Sequence, residues 1–201
     1  MTGRWVAALS AGAFAALAPT IASAEEPRAR YALEVDAFGG YDLMVQGRST
    51  QAREIWSKNG GGAIAASLSF RTPWVSPFVD VGYYPLYASQ SRVDLGPSIG
   101  SVRSTGSLAA IGVLGGLGAE WWRLRLRLGI GLYDVDVRAT VLGRTIAPRE
   151  LDGGYLVALR GVVVRSRRVE VGLEARGGFV VEADTSFVSF GVTIAGDAVT
   201  F

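Results

Sequence analysis

Apolar and polar residues alternate with a period of two along most of this chain, which is the pattern of half-buried β-strands. The clearest stretch is 123–132, where five leucine or isoleucine residues alternate with three arginines and two glycines. A helix would spread those arginines around its circumference, whereas a strand places all three on one side. Applied to the whole chain, the alternation predicts eight strands, at 31–45, 63–70, 78–87, 106–120, 123–132, 154–165, 168–182 and 187–195.

The predicted connections alternate in length. Those after the first, third and fifth strands are long, at 46–62, 88–105 and 133–153, and the others are short, including the link at 183–186 after strand seven. Eight strands joined in this way predict an all-β, antiparallel, up-and-down barrel, because closure leaves no exposed sheet edge. The alternation continues through 134–141, so strand five is expected to run on as a hairpin that turns near Gly143.

The alternation fits two kinds of barrel. A soluble lipocalin-like barrel turns its apolar face inward, whereas a transmembrane barrel turns it toward lipid and keeps polar groups inside. The mean hydropathy is +0.29 although no strand is apolar on both faces, and the cations are almost all arginine, with Lys58 the one lysine. Aromatic residues also gather near the segment ends, as interfacial girdles require. We therefore favour the membrane barrel.

The N-terminus has the pattern of a secretory signal. A short positive start at 1–4 precedes an apolar run at 5–18, and Ala22-Ser23-Ala24 supplies small residues for a signal peptidase. We expect a cleaved signal peptide at 1–24 and an outer-membrane β-barrel domain at 25–201.

In this pattern of strands, loops and signal, the chain resembles the small outer-membrane β-barrel proteins, the group that contains the outer membrane protein A transmembrane domain and its eight-stranded relatives. The resemblance implies that the terminal aromatic residue, Phe201, is the assembly signal read by the barrel-assembly machinery. The last strand changes parity between Ile194 and Val199, which predicts a β-bulge at Gly196-Asp197.

Charged residues on the polar faces would meet inside such a barrel. Because eight strands enclose a space that side chains fill, arginines can bridge carboxylates across it. We expect a salt-bridged plug that closes the lumen, with a proton or ion pathway as the alternative. The predicted members of this charge network are Glu34, Asp36, Asp42, Asp80, Arg123, Arg125, Arg127, Arg160, Glu170, Glu174, Arg176 and Glu182.

Composition removes several kinds of chemistry. The chain has no Cys and no His, which excludes disulfides, thiolate metal sites, Ser-His-Asp triads and every imidazole base. A formal net charge of +2 argues against a nucleic-acid partner. The glycines at 112–118 lead directly into a strand and not into a Rossmann helix, and Glu170 and Glu174 are better explained by structural pairing with arginines than by a glycosidase dyad. We therefore predict no catalytic residue, cofactor or metal.

The sequence thus predicts a non-catalytic, monomeric protein of the cell outer membrane with a structural or surface-contact role. Its expected partners are outer-membrane lipid, the assembly machinery and an extracellular partner that binds the loop 134–152. The alternatives are a narrow porin-like channel for ions or small solutes and a soluble periplasmic lipid-binding barrel.

Overall fold

The computed structural model describes residues 30–46, 61–94, 101–141 and 144–201, and the predicted signal peptide lies outside them. Nine β-strands are present in these ranges, eight long and one short. They are β1 (Ala32–Gln46), β2 (Gly61–Arg71), β3 (Ser76–Asp94), β4 (Ser101–Trp121), β5 (Leu124–Val141), β6 (Arg144–Ile146), β7 (Arg149–Arg165), β8 (Val169–Val180) and β9 (Thr185–Thr200).

The eight long strands form one closed antiparallel ring. Each pairs with its neighbour along the chain, β5 pairs with β7, and β1 pairs with β9 to close the sheet. Three tight connections, at 72–75, 122–123 and 166–168, lie at the end where β1 begins and β9 finishes; we call this the short-turn end. At the opposite end, which we call the long-loop end, the chain connects β1 to β2 and β3 to β4. The predicted eight-stranded up-and-down barrel is confirmed.

The wall of the barrel is apolar outside and charged inside. On β5, Leu128 and Ile130 are 53% and 67% exposed, whereas Arg125 and Arg127 are 5% and 4% exposed. Residues i and i+2 of a strand share a face, so one side of β5 is uniformly apolar and the other side carries the arginines. The same alternation holds on β2 and β7, where every second residue is buried.

Several strands are longer than the alternation predicts. β3 and β4 extend beyond the predicted segments and stay paired as far as Asp94 and Ser101, in what the sequence predicts as a loop. The backbone hydrogen bonds between β3 and β4 continue in this segment, although its sequence has no alternating apolar face. The predicted extension of strand five is confirmed, because β5 runs to Val141 and β6 folds back on it with Val141 opposite Arg144.

The predicted irregularity in the last strand is also present, displaced by one residue. Glu34 pairs with Asp197 and Leu33 pairs with Val199, so Ala198 is the extra residue of a bulge. Asp197 keeps the inward parity of Thr193 and Ala195, and the bulge turns Val199 to the outer face, where it is 46% exposed. β9 therefore continues past the predicted end at 195 to close the barrel against β1.

Among the residues that the structure describes, no helix is long and apolar enough to cross a bilayer.

Candidate functional site: the charged lumen

At the short-turn end of the lumen, Glu34 is fully buried and lies between two arginines. Nη1 of Arg71 donates to Glu34 Oε2 at 3.0 Å, and Arg125 donates to the other oxygen of the same carboxylate. Arg71 also reaches Asp197 at 2.7 Å, and Arg125 reaches Glu120 on β4 at 2.9 Å. Each guanidinium thus bridges two carboxylates, which its planar fork of donors allows.

The middle of the lumen is organised around Asp36 and Glu174. Arg127 and Arg160 both donate to Asp36 Oδ1, at 3.0 and 2.8 Å. Arg160 also donates through Nε to Glu174 at 2.7 Å, and Thr193 donates its hydroxyl to the same carboxylate at 2.8 Å. These charges are almost entirely removed from water, so each depends on the others for the interactions that water would supply.

Arg176 carries the network onward toward the long-loop end. Its Nε donates to Glu174 at 2.6 Å and its Nη1 lies 3.0 Å from Asp80 Oδ2. The guanidinium also lies over the ring of Phe38, 4.4 Å from the ring centre, where a cation meets the negative face of the aromatic system. Successive ion pairs therefore connect Asp197 near the short-turn end to Asp80 on the far wall.

Every one of the eight long strands contributes to this chain of ion pairs. Its members within the described residues are Glu34, Asp36, Arg71, Asp80, Glu120, Arg125, Arg127, Arg160, Arg165, Glu170, Glu174, Arg176 and Asp197. Arg127 Nη2 joins the first two groups, since it lies 3.8 Å from Glu34 and also contacts Asp36.

An aromatic cluster lies above the ion pairs. The rings of Tyr84 and Phe187 are 4.7 Å apart, and Tyr133 lies against both, with ring centres at 6.4 and 6.1 Å. All three are at most 1% exposed. Tyr84 accepts a hydrogen bond from Arg176 at 3.3 Å, which ties the aromatic layer to the charged one.

Two buried aspartates at this level have no arginine among their hydrogen-bond partners in the described chain. Asp42 accepts a hydrogen bond from Ser189, which faces it across the β1–β9 pair. Asp152 is 1% exposed, and neither of its oxygens has a hydrogen-bond partner. The lumen is thus most densely paired at the short-turn end.

Ten of the twelve residues predicted for the lumen are buried inside the barrel. The two exceptions are Arg123 and Glu182. Arg123 lies in the β4–β5 turn, 6.0 Å from the ring centre of Trp122, because β5 begins only at Leu124. Glu182 is exposed in the turn at 181–184, because β8 ends at Val180 although the alternating sequence pattern runs on to 182.

The sequence reasoning missed several members of the network. Arg71, Glu120 and Arg165 lie at strand ends beside turns, where an isolated charge resembles a turn residue. Asp197 lies beyond the predicted end of the last strand at 195, next to the bulge at Ala198. The buried Asp152, which is not a member of the network, lies in 133–153, a segment that the sequence predicts as a loop.

A second set of charges lies outside the barrel on the extended strands. Asp134 accepts two hydrogen bonds from Arg149, and Asp136 accepts a bond from Nη2 of Arg138 at 2.7 Å. The hydrogen bonds from Arg149 lower the pKa of Asp134, and Asp134 in turn raises the pKa of Arg149. The Asp134–Arg149 pair therefore stays charged at neutral pH.

Within the described ranges, no group of three or more acidic side chains is placed to hold a metal ion.

No family model matches the chain, and no curated protein matches it. Solved structures do share its fold. The attachment invasion locus protein of Yersinia pestis, Ail, aligns with a TM-score of 0.55 at 9% identity in complex with the heparin analogue sucrose octasulfate, covering 82% of this chain and 98% of that one. A second Ail structure gives 0.52 at 11% identity over the same shares. Neisserial surface protein A gives 0.49 at 15% identity, covering 82% and 96%.

The fold is therefore that of the small eight-stranded outer-membrane barrels, with an apolar outer wall and a charged interior. At these identities the likeness concerns the architecture alone.

Proposed function

We propose that this chain is an integral outer-membrane protein whose lumen is closed, and that it acts in envelope structure and surface contact without catalysis or conduction. The observation that carries the proposal is the chain of ion pairs from Asp197 to Asp80, to which every long strand contributes. A barrel of eight strands is only wide enough to be filled by its own side chains.

The outer wall supports the membrane location. Soluble monomers rarely expose apolar patches larger than a few hundred Å², whereas here large apolar side chains cover the outside of all eight long strands. On β5 the apolar outward positions run from Leu124 to Leu132, which is the length of strand that a bilayer requires. A lipocalin-like barrel would show the opposite arrangement, with this surface enclosing the ligand.

Two measurements test the proposal. The folded protein should remain in the detergent or membrane fraction and change its gel mobility on boiling. In planar bilayers the wild type should give no steady single-channel current. Arg125→Ala should destabilise the barrel and still give none, since the remaining pairs and the aromatic layer continue to fill the bore. Large, regular currents from the wild type would show that the protein is a channel.

The position of Phe201 supports recognition of the β9–β1 seam by the barrel-assembly machinery. Phe201 lies on the seam between β9 and β1, where its N–H donates to the carbonyl of Tyr31 at 3.0 Å and its ring lies 6.1 Å from that of Phe70. Its side chain is 74% exposed on the outer surface. An exposed aromatic residue directly after the closing strand is available to the assembly machinery, and Phe201→Ser should slow insertion in cells more than spontaneous folding into thin bilayers.

The strands that project past the barrel at the long-loop end support surface contact. β3, β4 and β5 stay paired there, and β6 adds a short edge strand with Ile146 68% exposed. Exposed strand edges can pair with another chain. Deletion of 137–148 should leave the barrel folded and weaken adhesion to host or neighbouring-cell surfaces, and adhesion unchanged by the deletion would remove this part of the proposal.

A further inference from the structure

We propose that the short-turn end of the barrel binds an anionic phospholipid, of which phosphatidylglycerol is the simplest example, through the arginines of two adjacent turns. This inference rests on the membrane location proposed above, because a lipid reaches these turns from a bilayer around the barrel. The binding surface lies in the β4–β5 and β7–β8 turns and in the strand ends beside them. We call it the arginine patch, and its members are Trp121, Trp122, Arg123, Arg165, Arg167 and Arg168.

The two turns of the arginine patch contact each other. Nη1 of Arg165 donates to the carbonyl of Trp122 at 3.5 Å, and the N–H of Val162 donates to the carbonyl of Arg123 at 2.8 Å. The guanidinium of Arg123 lies 6.0 Å from the ring centre of Trp122. The patch is therefore one continuous surface in which aromatic and cationic side chains lie together.

The β7–β8 turn presents two arginines at the end of the barrel. The N–H of Ser166 donates to the carbonyl of Val169 at 2.8 Å, and the hydroxyl of Ser166 accepts from the N–H of Val169 at 3.1 Å. These hydrogen bonds close the turn, and Arg167 and Arg168 lie exposed between the bonded residues. Their guanidinium groups are therefore accessible to a lipid headgroup.

The turns at the two ends of the barrel carry opposite charges. The three tight connections of the short-turn end, at 72–75, 122–123 and 166–168, contain three arginines and neither aspartate nor glutamate. The tight turn at 181–184, at the long-loop end, contains Glu182 and Asp184 and no cation. An anionic headgroup is therefore attracted to the turns of the short-turn end.

The carboxylates beside the arginine patch belong to the lumen network. Glu120 accepts hydrogen bonds from Arg165 and from Arg125, the latter at 2.9 Å. Glu170 is 1% exposed and accepts from Arg165 at 3.2 Å. A zwitterionic lipid would bring its ammonium group against arginines, so the patch favours a headgroup with a net negative charge.

The height of the patch matches the headgroup region of the bilayer. Trp121 is the last outward residue of β4 and Leu124 the first outward residue of β5, and they are 78% and 41% exposed. On the neighbouring pair of strands, Val164 and Val169 end the apolar wall in the same way. Tryptophan is typical of the level where acyl chains meet headgroups, so the arginines directly beyond these residues lie at the level of the lipid phosphates.

A cavity of about 280 Å³ beside the patch offers space for the headgroup. Trp122 and Arg165 of the patch form part of its lining, together with Arg30 and Arg71. Glu120 is the one acidic residue among the described lining residues, so cations outnumber anions by three to one. The planar fork of a guanidinium matches the oxygens of a phosphate, which suits such a lining to a phosphodiester.

The test uses the full protein in nanodiscs of phosphatidylcholine that contain equal minor fractions of phosphatidylglycerol and phosphatidylethanolamine. Native mass spectrometry identifies the lipids that stay bound when the protein is released. Wild type should retain phosphatidylglycerol above its bulk fraction and phosphatidylethanolamine at its bulk fraction. Arg167→Gln/Arg168→Gln should lower the affinity for phosphatidylglycerol by about fivefold for each arginine removed, because each basic side chain near an anionic surface contributes about that factor.

Two matched variants separate charge from fold. Arg167→Lys/Arg168→Lys keeps both positive charges and should retain most of the enrichment. Arg144→Gln removes an exposed arginine at the long-loop end and should behave as wild type. The gel-mobility shift shows for each variant that the barrel is folded.

Equal retention of phosphatidylglycerol and phosphatidylethanolamine by the wild type, or wild-type enrichment in Arg167→Gln/Arg168→Gln, would overturn the inference. Soluble glycerophosphoglycerol, the same headgroup without acyl chains, should not displace the lipid at equal concentration. Displacement would show that the patch recognises a free phosphodiester and would overturn the assignment to a lipid. A protein that does not enter the nanodiscs at all would instead overturn the membrane location on which the inference rests.

Discussion

The replacement Arg160→Met tests the energetic role of the lumen network. Arg160 is 2% exposed and bridges Asp36 at 2.8 Å and Glu174 at 2.7 Å. Methionine occupies much of the same space without donors or charge. Asp36 then keeps Arg127 and Glu174 keeps Arg176, so the variant buries one uncompensated negative charge. Removal of one partner of a buried ion pair costs about 3–5 kcal/mol.

The assay is urea unfolding of the protein in lipid vesicles, followed by emission of the tryptophans at the short-turn end. The free energy of unfolding of Arg160→Met should be about 3–5 kcal/mol lower than that of the wild type. Replacement of the exposed Arg168 by methionine should change the free energy of unfolding by about 0.5 kcal/mol or less. In a double-mutant cycle, Arg160→Met/Glu174→Gln should be less destabilised than the sum of the single variants, by about 0.5–3 kcal/mol. Equal stability of Arg160→Met and the control would refute the argument that the buried charges depend on one another.

Three further predictions concern the wall, the aromatic layer and the outer charge pairs. Leu128→Arg should lower the free energy of unfolding in vesicles by about 2–4 kcal/mol if the residue lies at the bilayer midplane, and unchanged stability would contradict its lipid contact. Phe187→Ala should cost about 3–5 kcal/mol in the same urea assay because it removes a ring that packs against Tyr84, and wild-type stability would show that the layer contributes nothing. The Asp134–Arg149 pair stabilises the extended strands above the ordinary pKa of an aspartate, near 3.9, and its contribution should disappear as the pH falls through the lowered folded value. Hydrogen exchange at 134–151 should show this loss below about pH 4 in wild type and not in Asp134→Asn.

The sequence predicts the strands of the barrel wall because contact with lipid requires an apolar residue at every outward position. Between Leu124 and Leu132 every outward residue must be apolar, so the alternation is strict and both strand and facing can be predicted. Beyond Asp134 the alternation continues on β5 as far as Val141, so the extension of that strand can be predicted. The paired continuation of β3 and β4 to Asp94 and Ser101 has no such alternation and could not be predicted.

The sequence predicts which charged residues face the lumen, but it does not predict which of them form ion pairs with one another. Parity placed Asp36 and Arg160 in the interior, whereas their distance of 2.8 Å depends on strand stagger, which the sequence does not state. The sequence analysis does not identify Arg71 or Asp197 as lumen residues. Arg71 is the last residue of β2 and lies beside a turn, and Asp197 lies next to the bulge at Ala198. Glu182 was misplaced for the converse reason, since the alternating pattern outlasts the strand.

Site-directed spin labelling tests the facing of the wall most directly, and the absence of native cysteine makes single labels simple to introduce. Labels at Val157 and Leu159 should collide freely with oxygen dissolved in the bilayer and poorly with a water-soluble nickel reagent. A label at the buried Ala158 between them should be immobile and protected from both. High nickel accessibility at Val157 and Leu159 in the folded, vesicle-bound protein would contradict a lipid-facing wall around a charged interior.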